Sequence, residues 1–376
     1  MSSTKKGLFF RLSELYYKAA LHFPLFLKKP AKTDPKKFLI VSEDNLGDFL
    51  MLAGVINAIK KKYNVSVAVQ KELVPVAKIM GVEKIFPFDK ILFRHSIKYR
   101  RDFLNSLRSE GFYIAASSIL FTALSVRITA ESGAENRYAY VGHEGVREKR
   151  RLVNINRKIK QINDRNESGV FKDVLEIISY YYSQITGIKI DYKKDEPSIN
   201  IDLPPYPGLE SEKYLLYVSD TSAKIKTYPP ENLVPALKNF ALRHGLKLVI
   251  TAVKNNNEFE NEQGIVNLAG KTSLEDMIRI VNNTTVVIGN DTGMTHLAWI
   301  TGRPVLVIYG GGFHGRFSPH GKGRKIYNYM PCFPSCSWNN CSDMRDGIGK
   351  CIISIPKEKI MAELEKLYND ECSGTA

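Results

Sequence analysis

Short apolar runs alternate with longer amphipathic stretches along the chain from residue 38 onward. In the first half, this pattern predicts strands at 38–42, 65–69, 85–88 and 113–117, and helices at 49–63 and 168–186. In the second half, it predicts strands at 214–218, 246–252, 265–268, 285–288 and 305–309, and helices at 231–243, 273–281 and 292–301. Strands that alternate with helices indicate parallel sheets covered by helices on both faces.

A proline-rich stretch divides this pattern into two series. Prolines lie at positions 197, 204, 205 and 207, and proline at this density stops helices and favours an extended connector. We therefore predict an α/β protein with two doubly wound domains, at 38–205 and 206–376, that face each other across a cleft. Ligands of such sheets bind at the carboxyl ends of the strands.

The first 37 residues form a basic amphipathic leader, 1–37. Apolar side chains recur there at helical spacing, at Leu8, Leu12, Leu15, Tyr16, Ala19 and Phe23. Basic residues lie between them, at Lys5, Lys6, Arg11 and Lys18. The pattern fits a helix at a membrane surface and, equally, a helix packed on the protein body. Its charged residues interrupt the apolar core that a signal peptide requires.

The chain is strongly basic, with 54 Lys and Arg residues against 39 Asp and Glu residues and a net charge of +15 at pH 7. This excess favours anionic partners, such as a nucleotide, a phosphorylated glycolipid, an anionic membrane surface or nucleic acid. The basic residues are scattered and match no nucleic-acid-binding motif, so we expect no specific nucleic-acid partner. No apolar run reaches the ~18 residues that a membrane-spanning helix needs.

Four of the five cysteines cluster near the C-terminus, at Cys332, Cys336, Cys341 and Cys351. Their number and spacing are not those of a secreted disulfide scaffold, which indicates a reducing cytoplasm. The four thiols either stay free or bind one structural Zn or Fe ion. Because apolar periodicity is sparse from residue 310 to 351, we expect that core burial does not order the Cys-rich loop 332–351 and that a metal does.

The segment 287–298 predicts an anion-binding helix N-terminus. A buried strand ends at Gly289, and Asn290 or Asp291 can cap the helix that follows. The first N–H groups of this helix belong to Thr292, Gly293 and Met294. They stand at the positive end of the helix dipole, and a glycine there leaves room for a phosphate. An ordinary helix cap has the same pattern.

The same segment resembles the signature of a known family. The run Asp291-Thr292-Gly293-Met294-Thr295-His296-Leu297-Ala298, followed by Gly302, Pro304 and Gly310, is similar to that of glycosyltransferase family 9, the ADP-heptose:lipopolysaccharide heptosyltransferases. Three further segments agree in order and spacing: Asn45-Leu46-Gly47-Asp48, Lys226-Thr227-Tyr228-Pro229 and 268–274. The resemblance extends over about 37–365 of the chain.

This resemblance implies the GT-B architecture of two Rossmann-like domains, with an acceptor-binding domain at 38–205 and a nucleotide-sugar-binding domain at 206–376. It also implies an inverting transfer that uses no metal for catalysis. Asp48 would be the general base for the acceptor hydroxyl, and Lys226 would neutralise the departing diphosphate. The other donor-binding residues implied are Ser222, Glu258, Asp291, Thr292, Gly293, Met294 and His296.

A glycine-rich run at 310–315 fits the G-x-G-x-x-G dinucleotide pattern. The true fingerprint must open a helix, whereas the residues after this run include proline and glycine and have no helical periodicity. We interpret the run as a flexible loop beside the cleft. Its side chains His314 and Arg316 either contact phosphate or are solvated.

These features together predict a glycosyltransferase at the cytoplasmic face of the inner membrane, attached peripherally. The expected donor is a nucleotide diphosphate sugar similar to ADP-heptose, and the expected acceptor is lipopolysaccharide or another cell-surface glycan. One alternative is a glycosyltransferase that acts on a protein acceptor. Another is a non-catalytic basic protein that binds a nucleotide sugar or nucleic acid, although the presence of Asp48, Lys226 and Asp291 together argues against it.

Overall fold

The computed structural model describes residues 25–119, 123–141, 154–160, 162, 172–195, 197–254, 258–260, 262–317, 319, 321–338 and 341–372. The helical pattern predicted for the leader lies outside these residues, as does the start of the helix predicted at 168–186. Within the described ranges, no helix is both long enough and apolar enough to cross a membrane.

The first sheet consists of six parallel strands in the order β3-β2-β1-β4-β5-β6. The strands are β1 (Asp34–Ser42), β2 (Asn64–Gln70), β3 (Lys84–Phe88), β4 (Phe112–Ser117), β5 (Asn136–Val141) and β6 (Arg157–Lys160). The helices along this part of the chain are α1 (Leu46–Leu50), α2 (Ala53–Lys60), α3 (Val74–Ile79), α4 (Lys90–His95), α5 (Ile97–Arg108), α6 (Ala123–Glu131) and α7 (Val174–Thr186).

The second sheet repeats this arrangement with six parallel strands in the order β12-β11-β10-β7-β8-β9. They are β7 (Tyr214–Val218), β8 (Lys247–Thr251), β9 (Ile265–Asn267), β10 (Val286–Asn290), β11 (Val305–Ile308) and β12 (Gly323–Ile326). The helices are α8 (Pro230–Arg243), α9 (Leu274–Asn283), α10 (Gly293–Ile300), α11 (Lys350–Ile353) and α12 (Lys357–Glu371). A two-stranded antiparallel pair, β13 (Met344–Arg345) and β14 (Ile348–Gly349), follows β12.

Both sheets therefore have the doubly wound Rossmann order, in which the first strand of the series lies at the centre. The strand order reverses between β1 and β4 in the first sheet and between β7 and β10 in the second. The predicted fold class, two Rossmann-like α/β halves, is confirmed. The strands that the pattern did not predict include β6 and β12, which lie at sheet edges and carry mostly polar or half-buried residues.

The chain forms two compact units, and each unit combines three separate stretches of the sequence. The first unit comprises Met1–Asp44, Ile56–Gln161 and Ser183–Ile188, and the second comprises Asn45–Val55, Ile162–Tyr182 and Lys189–Ala376. Helix α1 and most of α7 thus belong with the second sheet, although both precede residue 206 in the chain.

The helix predicted over 49–63 is two helices, because the chain turns between α1 and α2. The backbone N–H of Leu52 donates to the carbonyl of Phe49 at 3.1 Å, a tighter turn than an α-helix makes. All residues from Phe49 to Ala53 are buried. Since this stretch is apolar on every side, its sequence carries no periodicity that would reveal the break.

The prediction that core burial does not order the Cys-rich loop 332–351 is wrong. Phe333 is fully buried and belongs to the core of the second unit, together with Ile348 and Cys351. A Cβ atom on Gly311 would lie 2.5 Å from the Phe333 ring, and one on Gly312 would lie 2.0 Å from the Trp338 ring. The three consecutive glycines therefore admit aromatic rings against the backbone. The apolar residues of this segment are single and irregularly spaced, so periodicity does not reveal them.

We expect Phe333→Ala to lower the free energy of unfolding by about 3–5 kcal/mol, because a fully buried ring leaves a cavity against the glycine backbone. Chemical denaturation monitored by circular dichroism measures this change. A matched control is Leu242→Ala on α8, where the side chain is 61% exposed and the expected change is within about 0.5 kcal/mol. Equal effects of the two substitutions would contradict the burial of this segment as a source of stability.

Candidate functional site

The candidate site lies where the strand order of the second sheet reverses, at the carboxyl ends of β7 and β10. Open α/β sheets bind ligands at this position because the connections from the two central strands diverge there. Lys226 is at the end of the 3-10 turn Lys224–Lys226, which follows β7. Asp291 follows β10 directly and precedes α10. The topology therefore brings together two residues that the sequence predicted as donor-binding.

Asn290 joins the two connections at this position. Its side chain is fully buried, its Oδ1 accepts from the backbone N–H of Tyr228 at 2.8 Å, and its Nδ2 donates to the carbonyl of Ser219 at 3.2 Å. These bonds hold both ends of the segment 219–228, which carries Lys226. The sequence pattern indicated Asn290 only as a helix cap, because its partners Tyr228 and Ser219 lie on another strand connection.

The ammonium group of Lys226 is directed at the end of β10. Its Nζ donates to the backbone carbonyl of Asp291 at 2.9 Å. The turn that carries it is stabilised by Thr221, whose Oγ1 lies 3.0 Å from Oγ1 of Thr227. The lysine is half-buried, whereas Ser222 at the tip of the same segment is exposed.

Helix α10 is capped differently from the prediction. Its N-cap residue is Thr292, not Asn290 or Asp291, since Asn290 bonds to the β7 connection and Asp291 pairs with a residue of the helix itself. The backbone N–H of Thr292 donates to Oγ1 of Thr295 at 3.2 Å. The following N–H groups, of Gly293 and Met294, are in the first helical turn and have no acceptor within the helix.

Gly293 makes room for a side chain of α1. A Cβ atom at this position would lie 2.7 Å from Cγ of Leu46, and one on Gly47 would lie 3.1 Å from Cδ2 of His296. The two glycines let α1 lie directly against α10. Leu46 fills the space that a side chain at position 293 would need, so Gly293 is required for helix packing, while its role toward a phosphate stays a prediction.

Asp291 and His296 form a buried pair. The Nε2 atom of His296 lies 3.1 Å from Oδ1 of Asp291, and the two side chains are 5% and 10% exposed. Burial by itself would raise the pKa of Asp291, but the hydrogen bond and charge of His296, together with the charge of Lys226, hold this pKa below its usual value. Asp291 is thus an anion at neutral pH, and its carboxylate orients the imidazole ring.

Asp48 of α1 lies beside Arg316. Its Oδ1 is 3.7 Å from Nη2 of the arginine, and both side chains are 21% exposed. Burial raises the pKa of Asp48 above its usual range, against the opposing charges of Arg316, His296 and Lys226, while the charge of Asp291 raises it further. A carboxylate with a raised pKa accepts a proton more readily than one in water.

Within the part of the chain that the structure describes, no helix begins at the glycine-rich run before Arg316, so the run lacks the structure of a dinucleotide fingerprint. Arg316 is held by its own backbone, because its N–H donates to the carbonyl of Phe313 at 3.0 Å and its carbonyl accepts from the N–H of Val174 at 2.8 Å. His314 is half-buried and packs among aromatic side chains. Its ring lies 5.0 Å from that of Phe333, and burial followed by the charge of Lys325 lowers its pKa.

The described contacts thus bring together Asp48, Lys226, Asp291 and His296, and they add Arg316 and Asn290. Ser222 and Glu258 are both exposed in turns, after β7 and β8 respectively. For Arg316, the only signal in the sequence was a basic residue after a glycine-rich run.

The cysteines of the C-terminal segment are close enough to influence one another. Cys332, Cys336 and Cys341 line one pocket together with Asp343. Burial raises the pKa of Cys336 and of Cys351, and the charges of neighbouring cysteines raise it further. A backbone hydrogen bond to each of these two sulfurs, from Trp338 and Gly311, opposes the shift. Among the described residues, no group of three or more His, Cys, Asp or Glu side chains is arranged to hold a metal ion.

The chain has two Rossmann-like units, each with a parallel sheet, and charged residues lie at the strand-order reversal of the second sheet. These features define a GT-B-type α/β protein. The family model of glycosyltransferase family 9 (heptosyltransferase) matches residues 142–339, and the chain belongs to this family.

Individual relatives are similar at lower identity. Lipopolysaccharide heptosyltransferase 1 of Campylobacter coli is 25% identical over 224 residues, which cover 55% of this chain and 64% of that protein. The chain spans less than two thirds of the length of the curated relatives it matches.

Solved structures share the fold. The ADP-heptose lipopolysaccharide heptosyltransferase II of E. coli superposes with a TM-score of 0.68 at 17% identity and covers 89% of this chain and 99% of that one. The iron-containing dodecameric glycosyltransferase TibC of enterotoxigenic E. coli has a TM-score of 0.52 at 12% identity and covers 90% of this chain and 77% of that one.

We expect Arg316→Gln to raise the pKa of Asp48, because it removes the guanidinium whose charge lowers this pKa most. The charges of His296, Lys226 and Asp291 remain in the variant. Carbon-13 NMR titration of the aspartate carboxyl groups measures the pKa, and Asp48→Asn assigns the signal. Arg316→Lys should restore much of the original value. Arg243→Gln, on the far end of α8, is the control. An unchanged or lowered pKa in Arg316→Gln would show that the two side chains are not coupled.

Proposed function

We propose that this chain is an inverting glycosyltransferase that uses no metal for catalysis. It transfers a sugar similar to heptose from a nucleotide diphosphate donor similar to ADP-heptose onto lipopolysaccharide or another cell-surface glycan. Membership of the heptosyltransferase family supports the class of reaction. The observation that carries the proposal is the position of Asp48, whose carboxylate lies in a half-buried set of charges at the strand-order reversal of the second sheet.

The proposed base acts on the acceptor hydroxyl. The oxygen of this hydroxyl bonds to the anomeric carbon of the donor from one face, and its proton passes to the carboxylate of Asp48. On the opposite face, the bond from the anomeric carbon to the diphosphate oxygen breaks, and the diphosphate takes the electron pair. One displacement of this kind inverts the anomeric centre. The raised pKa of Asp48 supports this role because it favours proton uptake.

Lys226 and the start of α10 stabilise the leaving group. A nucleoside diphosphate leaves only when its growing negative charge meets fixed cations and dipoles. The ammonium of Lys226 bonds to a backbone carbonyl, a partner that a phosphate oxygen can replace. The N–H groups of Gly293 and Met294 are at the positive end of the helix dipole.

The remaining donor contacts follow from the family resemblance. We place Asp291 and His296 as a pair that positions the donor, since their mutual hydrogen bond fixes the imidazole orientation. Thr292, Ser222 and Glu258 complete the proposed donor site, with Glu258 assigned to the ribose hydroxyls. Ser222 and Glu258 are exposed, so both side chains are accessible to a ligand.

We further propose that the chain works peripherally at the cytoplasmic face of the inner membrane and that the domain 38–205 binds the acceptor. The net charge of +15 supports attraction to anionic lipid. The amphipathic pattern of the leader supports insertion at a membrane surface. Flotation with anionic and neutral vesicles, at low and high salt, tests the charge dependence.

The cysteine cluster is proposed to bind a structural Zn or Fe ion through Cys332, Cys336, Cys341 and Cys351. The shared pocket and the mutual destabilisation of the thiolates support a cation at this position. TibC, which has the same fold, is described as iron-containing. Because the four side chains are not arranged as ligands in the structure, binding would have to draw them together.

We expect Asp48→Asn to reduce sugar transfer by about a hundredfold to ten-thousandfold, the usual contribution of a general base, with donor binding nearly unchanged. Transfer is measured from a nucleotide-sugar panel that is first screened by thermal shift, since a ligand of the native state raises its melting temperature. Asp202→Asn, at an exposed position, is the control. Near-normal turnover by Asp48→Asn would rule out this base, and the absence of any donor that binds would leave the proposed function unsupported.

We expect Lys226→Ala to weaken ADP binding by about one to two decades, because a charge-assisted phosphate contact contributes ~1.5–3 kcal/mol. Adenosine, which has no phosphate, should bind almost as before. Isothermal titration of both ligands makes the comparison, and the exposed Lys224→Ala in the same turn is the matched control. Equal losses for ADP and adenosine would show that Lys226 does not contact phosphate.

We expect one metal ion per chain, detected by elemental analysis of protein purified without a metal-binding tag. The double variant Cys336→Ser/Cys341→Ser should no longer bind the metal ion, because it lacks two of the four proposed ligands. Cys372→Ser, outside the cluster, should retain the metal. Substoichiometric Zn and Fe, with four thiols that titrate freely in the native protein, would identify the cysteines as unliganded.

A further inference from the structure

The first unit exposes three large aliphatic side chains on adjacent helices. Ile91 and Leu92 on α4 are 63% and 47% exposed, and Ile97 at the start of α5 is 41% exposed. Only the single residue Ser96 separates the two helices. We call the outer surface formed by residues 90–92, 94, 97, 98 and 101 the α4–α5 surface. Exposed apolar side chains that lie close together in the fold, rimmed by polar residues, are typical of interaction sites.

These aliphatic side chains are not a loosely packed part of the core. The inward sides of both helices are already buried, with Phe93 and Phe103 packed edge to face at a centroid distance of 5.8 Å. The side chain of Asp89 accepts from the N–H groups of Ile91 and Leu92, and that of Ser96 accepts from the N–H of Tyr99. The two helices are thus separately capped and fixed, and they present the aliphatic residues outward.

Basic side chains surround the aliphatic ones. Lys90, Arg94, Lys98 and Arg101 are all exposed on the α4–α5 surface. Acidic partners compensate two of them, since Arg94 pairs with Glu43 at 2.6 Å and Arg101 with Asp102 at 3.2 Å. No ion pair among the described residues involves Lys90 or Lys98. A surface that combines aliphatic side chains with uncompensated lysines matches the interface of an anionic bilayer, where apolar groups enter the acyl boundary and lysines meet the phosphates.

The described end of the leader contacts α5. The backbone N–H of Lys28 donates to Oδ1 of Asn105 at 2.9 Å, and Nε of Arg108 donates to the carbonyl of Lys28 at 2.6 Å. Asn105 and Arg108 both lie in the C-terminal half of α5. Lys28 of the leader therefore lies beside the C-terminal half of α5. Phe26, two residues before Lys28, is 92% exposed.

We propose that the α4–α5 surface is the site at which this protein docks on an anionic lipid bilayer. The biological role of this docking rests on the proposed function, because the enzyme can reach a lipid-borne acceptor only at a membrane. Its physical basis is independent of the reaction. Aliphatic side chains rather than aromatic ones predominate at this surface, and they offer no stacking platform for nucleic-acid bases.

The test is flotation of the full chain with two kinds of vesicle, one of phosphatidylcholine alone and one of equal parts phosphatidylcholine and phosphatidylglycerol. The wild-type chain should float with the phosphatidylglycerol vesicles at low salt and much less with phosphatidylcholine alone. The variant Ile91→Ser/Leu92→Ser/Ile97→Ser should lose about tenfold or more in vesicle affinity. The variant Lys90→Glu/Lys98→Glu should also lose about tenfold or more.

Matched controls carry equivalent changes elsewhere. Leu242→Ser replaces an aliphatic residue that is 61% exposed on α8, and Lys357→Glu/Lys366→Glu reverses two exposed lysines of α12. Thermal melts establish that each variant is folded. Unchanged flotation of both α4–α5 variants, or equal losses in the controls, would overturn the proposal. So would lysine reversal that weakens oligonucleotide binding and leaves vesicle binding intact.

Failure of the docking site and failure of the proposed function give different results. Vesicle flotation requires neither donor nor acceptor, so it reports on the α4–α5 surface alone. Both α4–α5 variants should retain donor binding in the thermal-shift screen, because none of their substitutions lies in the second unit. A chain that floats through this surface but binds no nucleotide sugar would retain the docking site and lose the proposed function.

Discussion

The close packing of α1 on α10 determines where the charged groups of the site lie. Two glycines, Gly47 and Gly293, face this contact, and a Cβ atom on Gly293 would clash with Leu46 at 2.7 Å. Because the helices approach this closely, Asp48 reaches the residues that follow β10 and β11. The helix N-terminus, the Asp291–His296 pair and the Asp48–Arg316 pair are all arranged around this single contact, which depends on the absence of two side chains.

This contact brings charged side chains together in a partly buried site, where each charge needs a partner of opposite sign. Asp48 and Asp291 are two carboxylates in one neighbourhood, and each raises the other's cost of ionisation. Burial raises the pKa of Asp48, whereas the bond from His296 and the charge of Lys226 keep the pKa of Asp291 low. The two acids therefore differ in character, one suited to accepting a proton and the other to holding a permanent charge. This difference follows from their partners and not from their residue type.

The same relation between glycines and large side chains recurs in the C-terminal segment. Gly311 and Gly312 accept the rings of Phe333 and Trp338 against their backbone, so a run that resembles a phosphate loop is instead a packing surface for aromatic residues. This packing holds the chain that leads to Arg316. The Cys-rich segment therefore packs against the chain that carries Arg316, and this packing helps to fix the position of Arg316 in the candidate site.

The sequence by itself determined the alternation of strands and helices, the two-part α/β organisation and the family motifs that contain Asp48, Lys226 and Asp291. Local periodicity and short motifs carry this information, because burial within one strand or helix is visible in neighbouring residues. Only the tertiary structure decided the partner of Arg316, the bridging role of Asn290, the packing role of Gly293 and the burial of Phe333. Each of these depends on residues distant in the chain that meet when parallel strands align. A residue's own neighbours in sequence report which side is buried, but not which distant side chain covers it.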